Sequence, residues 1–397
     1  MRILLVTSDF PSAGARHGGG RHTFQWAKEL SGSHAFSLLS FIREEDLPSL
    51  PAAGEVFEKI RTVPGERGFL NRLRRVPLLL SRPFAVAATS SKPLLGNLHD
   101  MIRDGSFDCI QFENFHMGQY ARLIPAEIPR ILVLQDLASD VLRQQVRIAG
   151  GLKKYYYYRQ WKLSRYWEKW YSIWCGNVFV MSLKDRRAVE AWDIGVNTFI
   201  MPPLLDENLL RRPEEQREQA AVLFIGAMHR PGNRDAAIRL KKEIMPLVRK
   251  ECPEARCLVV GANPPAGIRA LSSDDFIVTG EVERIDPYLS SAALLVVPLR
   301  VAGGIILKIV QAMTAGCPVV ASRAANAGIG ARDGSEIMIA DRPEDFAGAV
   351  IRLLKSPDEA RRLGQAGRTW AEREFSREKG RAKMEKAYQS IVATDKS

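Results

Sequence analysis

Short runs of consecutive apolar residues alternate along the chain with stretches whose apolar positions recur every three or four residues. Strand-like runs occur at 2–7, 109–112, 131–134, 178–181, 222–225, 256–260, 294–297 and 318–321. They are continuous rather than alternating, as a strand covered on both faces requires, so mostly parallel sheets flanked by helices are predicted. Helical periodicity falls between them, as at 23–30, 236–249 and 343–354. The rhythm restarts near residue 220, after a polar stretch at 206–219 that contains Pro213 and follows Pro202-Pro203. The expectation is an α/β chain of two Rossmann-like domains whose mostly parallel sheets face a central cleft. The expected domains are 1–205 and 220–375, joined by a linker at 206–219. Residues 376–397 read as a helix with no strand after it, expected to pack back on the first domain.

Composition narrows the classes. The chain has 397 residues, 46% hydrophobic and 26% charged, which is ordinary for a globular protein and argues against long disorder or coiled coil. No apolar stretch reaches the roughly 18–20 residues that span a bilayer. Residues 1–7 are too short for a signal-peptide core and run into Asp9, so they are expected as the first strand. A cytoplasmic protein, peripheral on the inner face of the membrane, is therefore expected. The five cysteines are scattered, with no C-x-x-C spacing and no nearby histidine, so neither a disulfide framework nor a metal site is expected. The net charge is +12, from 57 Lys/Arg against 45 Asp/Glu, and residues 1–200 carry 27 against 19. A basic first half suggests anionic partners.

Three strand-to-helix junctions carry candidate chemistry. The first holds Gly18, Gly19 and Gly20, where bare backbone and a helix N-terminus can meet an anion. The second runs from Gly226 to Arg230 and Arg234, two arginines placed to pair a phosphate or simply to be solvated. The third ends a strand at Pro298 and continues through Arg300, Gly303 and Gly304 into an amphipathic helix expected to open at that glycine pair, with Gly316 as its C-cap. Lys308 and Gln311 share one face of it. Lys308 could neutralise a diphosphate, and Gln311 could hydrogen-bond a ribose diol. Neither the dinucleotide fingerprint nor the phosphate-loop pattern is present, which weighs against a nicotinamide dehydrogenase or a P-loop ATPase.

The third region, from Gly303-Gly304 through Lys308, Gln311-Ala312-Met313 and Gly316 to Pro318-Val319-Val320-Ala321, resembles the nucleotide-sugar site of GT-B glycosyltransferases, specifically the retaining family 4 (glycosyl transferases group 1). Gly226-Ala227-Met228 to Asn233, the run ending at Gly261, and Gly280-Glu281-Val282 are similar to further motifs of that family. The likeness is close over 220–392 and looser in the first domain. It implies a catalytic role for Lys308, supported by Arg230; His116, at a neighbouring strand end, and Asp136, next to Gln135, are the catalytic candidates of the first domain. Donor contacts are expected mainly from the second domain, at Gly226, Gly261, Val282, Arg300, Gly303, Gly304 and Gln311, and the binding residues Gly18, Gly19 and Gly20 are expected beside the acceptor on the first domain. The chain departs from the family at Gln311, where a glutamate is usual, at Gly303 and Ile306, and at Gln135, where a histidine is frequent.

Residues 151–174 hold ten Tyr/Trp, six Lys/Arg and one acid, Glu168. Arg67, Arg72, Arg74, Arg75 and Arg82 interleave with Phe69, Leu70 and Leu78-Leu79-Leu80 in a second basic–apolar segment. Three readings fit: an anionic membrane surface met through 151–174 and 67–82, a helix packing its aromatics inward, and stacking on single-stranded nucleic acid. Nucleic acid is not the expected partner.

The function expected is transfer of a sugar from a nucleotide-diphosphate sugar to a glycan or lipid-linked acceptor, in cell-surface polysaccharide or glycolipid synthesis. Retention is implied by the resemblance alone. The nucleotide sugar is the substrate and no cofactor is expected; no metal is required if Lys308, Arg230 or Arg300 stabilise the leaving group. The alternatives are a catalytically silent GT-B scaffold, motivated by Gln311, Gln135 and Ile306, and a sugar-nucleotide epimerase.

Overall fold

A computed structural model of the chain describes residues 1–15, 18–65, 78–205, 209 and 218–394. Most of the expected linker, and Arg67, Phe69, Leu70, Arg72, Arg74 and Arg75 of the second basic segment, lie outside the described residues. Two compact units form: Met1–Leu204 with Arg377–Ser397, and Leu205–Ser376.

The first unit runs β1 (Arg2–Thr7), α1 (Gly18–Leu30), β2 (Ala35–Ile42), β3 (Phe57–Pro64), α2 (Lys92–Asp104), β4 (Cys109–Glu113), β5 (Arg130–Leu134), α3 (Ala138–Ile148), α4 (Gly151–Cys175), β6 (Gly176–Val180), α5 (Leu183–Glu190) and β7 (Asn197–Ile200). Its strands make one seven-stranded sheet in the order β3-β2-β1-β4-β5-β6-β7, and every pairing is parallel. The apolar runs explain why both faces are covered. Ile3 and Leu5 enter one core with Trp26 and Phe36, while Leu4 and Val6 enter the other with Phe112 and Leu132. Successive side chains leave opposite faces of a strand, so a continuous run feeds two cores at once.

The second unit runs β8 (Glu218–Ile225), α6 (Pro231–Arg239), α7 (Met245–Glu251), β9 (Arg256–Val260), β10 (Phe276–Gly280), β11 (Ala292–Val297), α8 (Leu307–Thr314), β12 (Val319–Ala321), β13 (Met338–Ile339), α9 (Pro343–Lys355) and α10 (Pro357–Glu374). Its six strands are ordered β10-β9-β8-β11-β12-β13, again all parallel. The single helix predicted over 236–249 is interrupted by a π-turn at Leu240–Ile244. Pro246, at the start of α7, explains the break, because it has no N–H to give and its ring crowds the preceding turn. The last helix, α11 (Arg377–Thr394), belongs to the first unit, where Met384, Tyr388 and Ile391 join the core of Ile3 and Trp26.

Each sheet grows in one direction from its first strand and then in the other. The reversal falls between β1 and β4 in the first unit and between β8 and β11 in the second. In such sheets ligands bind outside the carboxyl ends of the strands at the reversal, where the connections diverge and leave a crevice. Among the described residues no helix is long and apolar enough to cross a membrane. All five cysteines are free and buried.

Candidate functional site

In the second unit the two strands at the reversal deliver the predicted motifs. β8 ends at Ile225, and Gly226 leads into α6; β11 ends at Val297, and the loop through Arg300, Gly303 and Gly304 leads into α8. The glycine pair does not open the helix, as the sequence suggests. α8 begins at Leu307, with extended Ile306 before it, and Gly304 sits in the loop at φ +53°. That places Lys308 in the first helical turn and leaves the glycine amides in the loop. Gly316 does end the helix: Gly316 N–H donates to Met313 and Cys317 N–H to Ala312, which together satisfy two terminal carbonyls.

Lys308 reaches back toward β8. Its Nζ donates to Asn233 Oδ1 at 3.0 Å and lies 4.6 Å from the centre of the buried Phe224 ring. Asn233 is fixed in turn, its Nδ2 donating to the Ala227 carbonyl at 2.9 Å. Gly226 makes room for that amide, since a Cβ there would stand 2.6 Å from Asn233 Cγ. Lys308 is half-buried and has no carboxylate partner among the described residues. Loss of hydration, and then the positive charge of Arg230, pull its pKa down to about 7. Two cations thus converge at the end of β8 with no carboxylate on Lys308.

The other predicted residues of this unit divide. Gly261 lies beside Gly226, its amide donating to the Gly280 carbonyl at 3.0 Å, so Gly226, Gly261 and Gly280 stand side by side across the ends of β8, β9 and β10. Val282, two residues past β10, is half-buried, as is Gln311, one turn along α8 from Lys308. Arg230 is exposed. Arg300 is drawn to Asp235 and Glu243, each at 3.6 Å.

In the first unit α1 begins at Gly18 itself, so the three glycines form its first turn rather than the loop before it. Gly19 is packed against Gln135, at the exit of β5; a Cβ there would fall 2.1 Å from Gln135 Oε1. Gln135 Nε2 donates to the Gly19 carbonyl at 3.3 Å, to Thr23 Oγ1 at 3.3 Å and to Glu113 Oε2 at 3.1 Å. Glu113, the last residue of β4, also accepts from Gln111 at 2.7 Å, and Gln111 accepts from the Tyr388 hydroxyl of α11 at 2.6 Å. Burial raises the Glu113 pKa, and the hydrogen bonds from Gln111, Gln135 and Thr23 oppose that. This chain was not singled out from the sequence. An acid and two glutamines in or just beyond buried strands were its one visible signal.

His116 follows β4, beyond Asn114, whose φ of +71° is uncommon for a residue with a side chain. Burial lowers the His116 pKa to about 4, against the opposing charge of Asp9 at the end of β1, so the ring is neutral at pH 7. Asp9 itself pairs with Arg43 at 3.3 Å. Asp136 is exposed beside Gln135. His116 and Asp9 therefore stand at the reversal of this sheet, with Gly19 and Gln135 at the neighbouring strand exits.

Residues 219–356 match the profile of the family described as Glycosyl transferases group 1. No curated protein matches the chain. Among solved structures, the fold resembles sucrose-phosphate synthase of Thermosynechococcus elongatus, 16% identical, with a TM-score of 0.73 over 99% of this chain and 100% of that one. It also resembles HepE of Anabaena in complex with UDP, 12% identical, TM-score 0.72, over 98% and 100%. A variant of S. aureus TarM in complex with fondaparinux, alpha-GlcNAc-glycerol and UDP is 11% identical, TM-score 0.71, over 98% and 99%. At these identities the likeness is one of architecture: the chain has the GT-B fold of two Rossmann-like units.

Proposed function

We propose that the chain transfers a sugar from a nucleotide-diphosphate sugar to a glycan or lipid-linked acceptor, with retention of configuration, in the synthesis of a cell-surface polysaccharide or glycolipid. The observation that carries this reading is Lys308, a cation held by an amide and a ring beside Arg230, with no carboxylate partner among the described residues. It lies within 219–356, the stretch that matches the glycosyl transferase family, and neighbours of the same fold were solved with UDP.

The chemistry follows from charge. When the sugar leaves, negative charge builds on the departing diphosphate, and preorganised cations and N–H groups aimed at it lower the barrier. Lys308, Arg230 and the backbone at Gly303 and Gly304 take that role, and Gln311 takes the ribose. Gly226 and Gly261 let the strand ends pack closely: a Cβ on Gly261 would stand 1.9 Å from the Gly226 carbonyl oxygen, and one on Gly226 would displace the Asn233 amide that holds Lys308. A divalent metal is not required where these cations carry the charge, so turnover persists in a chelator. The acceptor is assigned to the first unit, near Gly18–Gly20, Gln135 and Asp136, where neutral His116 can accept a hydrogen bond from a sugar hydroxyl.

The engagement of Arg300 by Asp235 and Glu243, with an amide at Gln311, favours one second reading: nucleotide binding without turnover. Thermal shift with nucleoside diphosphates, then turnover of a nucleotide-sugar panel with and without acceptors, separates the two. A ligand that binds only the folded state at 100 times its Kd adds about 2.7 kcal/mol. Wild type is expected to shift and turn over, and Lys308→Ala to do neither while folded. The proposal fails if no nucleoside diphosphate stabilises the wild type.

A further inference from the structure

α3 and α4 pack along each other and are joined by only Ala149 and Gly150. The two halves of α4 have different surroundings. From Gln160 onward, buried side chains recur at Gln160, Ser164, Glu168, Tyr171 and Cys175, and Trp167 and Trp174 pack against the first unit's core. This half is a structural helix. Between Gly151 and Arg159 no residue is buried. Leu152 is 90% exposed, Tyr155 70% and Ile148, at the end of α3, 53%. Nine residues at about 1.5 Å each make a projection of roughly 13 Å.

The charge around this tip has one sign. Residues 141–158, which span it, hold Arg143, Arg147, Lys153 and Lys154 and no Asp or Glu, and of these Arg143 pairs with Asp140 at 3.0 Å. Arg147, Lys153 and Lys154 flank the apolar tip and are exposed. The same helix carries a second apolar pair. Arg159 donates to the Leu80 carbonyl at 2.9 Å, Trp167 Nε1 to the Ser81 carbonyl at 2.8 Å, and Phe84 N–H to Gln160 at 2.9 Å. Leu80 and Phe84 remain 78% and 57% exposed.

We propose that the α3–α4 hairpin tip, with Ile148, Leu152, Tyr155 and Tyr156 as its apolar part and Arg147, Lys153 and Lys154 around it, docks this chain on an anionic lipid bilayer. Tyrosine is at home at the membrane–water boundary, aliphatic side chains enter the acyl margin, and lysines meet acidic head groups. The alternatives fit less well. A second copy would set Arg147, Lys153 and Lys154 against like charges, and a polynucleotide offers no place for Leu152 and Ile148. Docking is read without donor or acceptor, so it stands or falls apart from the transferase reading.

The test is cosedimentation of the full chain with vesicles of phosphatidylcholine alone or with phosphatidylglycerol added. Wild type is expected to bind the anionic vesicles and hardly the neutral ones. Lys153→Gln with Lys154→Gln should lower affinity about 25-fold, taking about fivefold per basic residue. Leu152→Ser with Tyr155→Ser should lower it at least about tenfold and remove the part that resists salt. Unchanged melting temperatures show that both variants fold. Equal binding to neutral and anionic vesicles, or wild-type binding by both variants, overturns the proposal. So does a dimer, or a complex with single-stranded DNA, that the Leu152/Tyr155 variant loses while vesicles are not bound.

Discussion

Asn233 bridges two elements that the sequence keeps 75 residues apart: its side-chain carbonyl accepts from Lys308 at 3.0 Å, and its amide donates to the Ala227 carbonyl at 2.9 Å. The first bond aims the ammonium at the exit of β8. The second fixes which way the amide faces. The charge that bears on Lys308 is another cation, Arg230, and that repulsion is relieved when an anion arrives.

Diphosphate affinity should therefore fall as pH rises above neutrality. In the free protein Lys308 titrates at about 7. An opposite charge at the ammonium raises that value in the bound state. Above pH 7 the complex then holds a proton that the free protein lacks. Affinity is steady below that point and drops by up to about tenfold per pH unit above it. Calorimetric titration with a nucleoside diphosphate from about pH 6.5 to about 8.5, in buffers of differing ionisation enthalpy, reads both the drop and the proton uptake. Lys308→Arg, whose guanidinium keeps its charge, flattens the profile.

Asn233→Asp should weaken the same ligand; it also sets a carboxylate oxygen against the Ala227 carbonyl where the amide now donates, so the melting temperature is read beside the affinity. The carboxylate would meet the ammonium at the present hydrogen-bond distance and supply the counter-charge reserved here for phosphate. Lys308 then stays protonated well above neutrality, so the pH dependence disappears along with the affinity. A loss of about tenfold or more is expected, on the order of 1.4 kcal/mol, a modest share of a charged pair's coupling. Wild-type affinity in this variant would mean that Lys308 does not touch the ligand.

What the sequence made legible follows from burial. Every interior strand except β2 showed as a continuous run, broken only by Gln111 in β4, because a strand with helices on both faces leaves charge no solvent on either side. β2 was missed because Ser37 and Ser40 interrupt it; Ser40 is satisfied by Thr7 at 2.8 Å, a bond no local pattern reveals. The four edge strands, β3, β7, β10 and β13, were all missed. β3 carries exposed Glu58 and Lys59 and half-buried Arg61, which pairs with Asp104, and β13 is only two residues long. Lys308, Gly303 and Gly304 were visible as a motif because they lie within one turn and its loop. The hydrogen bonds from Tyr388 to Gln111 and on to Gln135 were not, since Tyr388 lies 277 residues from its partner.

Tyr388→Phe isolates that long-range bond. Both groups are buried, with Gln111 1% and Tyr388 1% exposed. Without the hydroxyl, the Gln111 carbonyl loses its buried donor, a penalty of about 1–3 kcal/mol. The packing of α11 is otherwise kept, because the ring still meets Phe179 and His34. A denaturant midpoint lowered with an unchanged slope is the expected reading. Gln111→Leu alone also takes a donor from buried Glu113, so the double mutant should be less destabilised than the sum of the two single variants, and a strictly additive double mutant would show that the two side chains do not interact.

Glu168 should make the first unit lose stability as pH rises from acid to neutral. One of its oxygens accepts from the Ser139 N–H at the start of α3, at 3.1 Å, and the other is buried without a partner. Burial raises its pKa from the ordinary 4.5 to about 8, bonds from Ser139 oppose this, and the charge of Asp136 adds to it. Between those two values the folded state keeps a proton that the unfolded chain has released. Folding then binds more protons than unfolding, so stability declines with pH through that window and levels off above about 8. Glu168→Gln keeps an acceptor for Ser139 and cannot ionise. The variant should match wild type near about pH 5 and exceed it near about pH 8 by a few kcal/mol, read as a gap in melting temperature that widens with pH. A gap that stays constant across that range would mean that Glu168 is ionised in the folded protein at neutral pH.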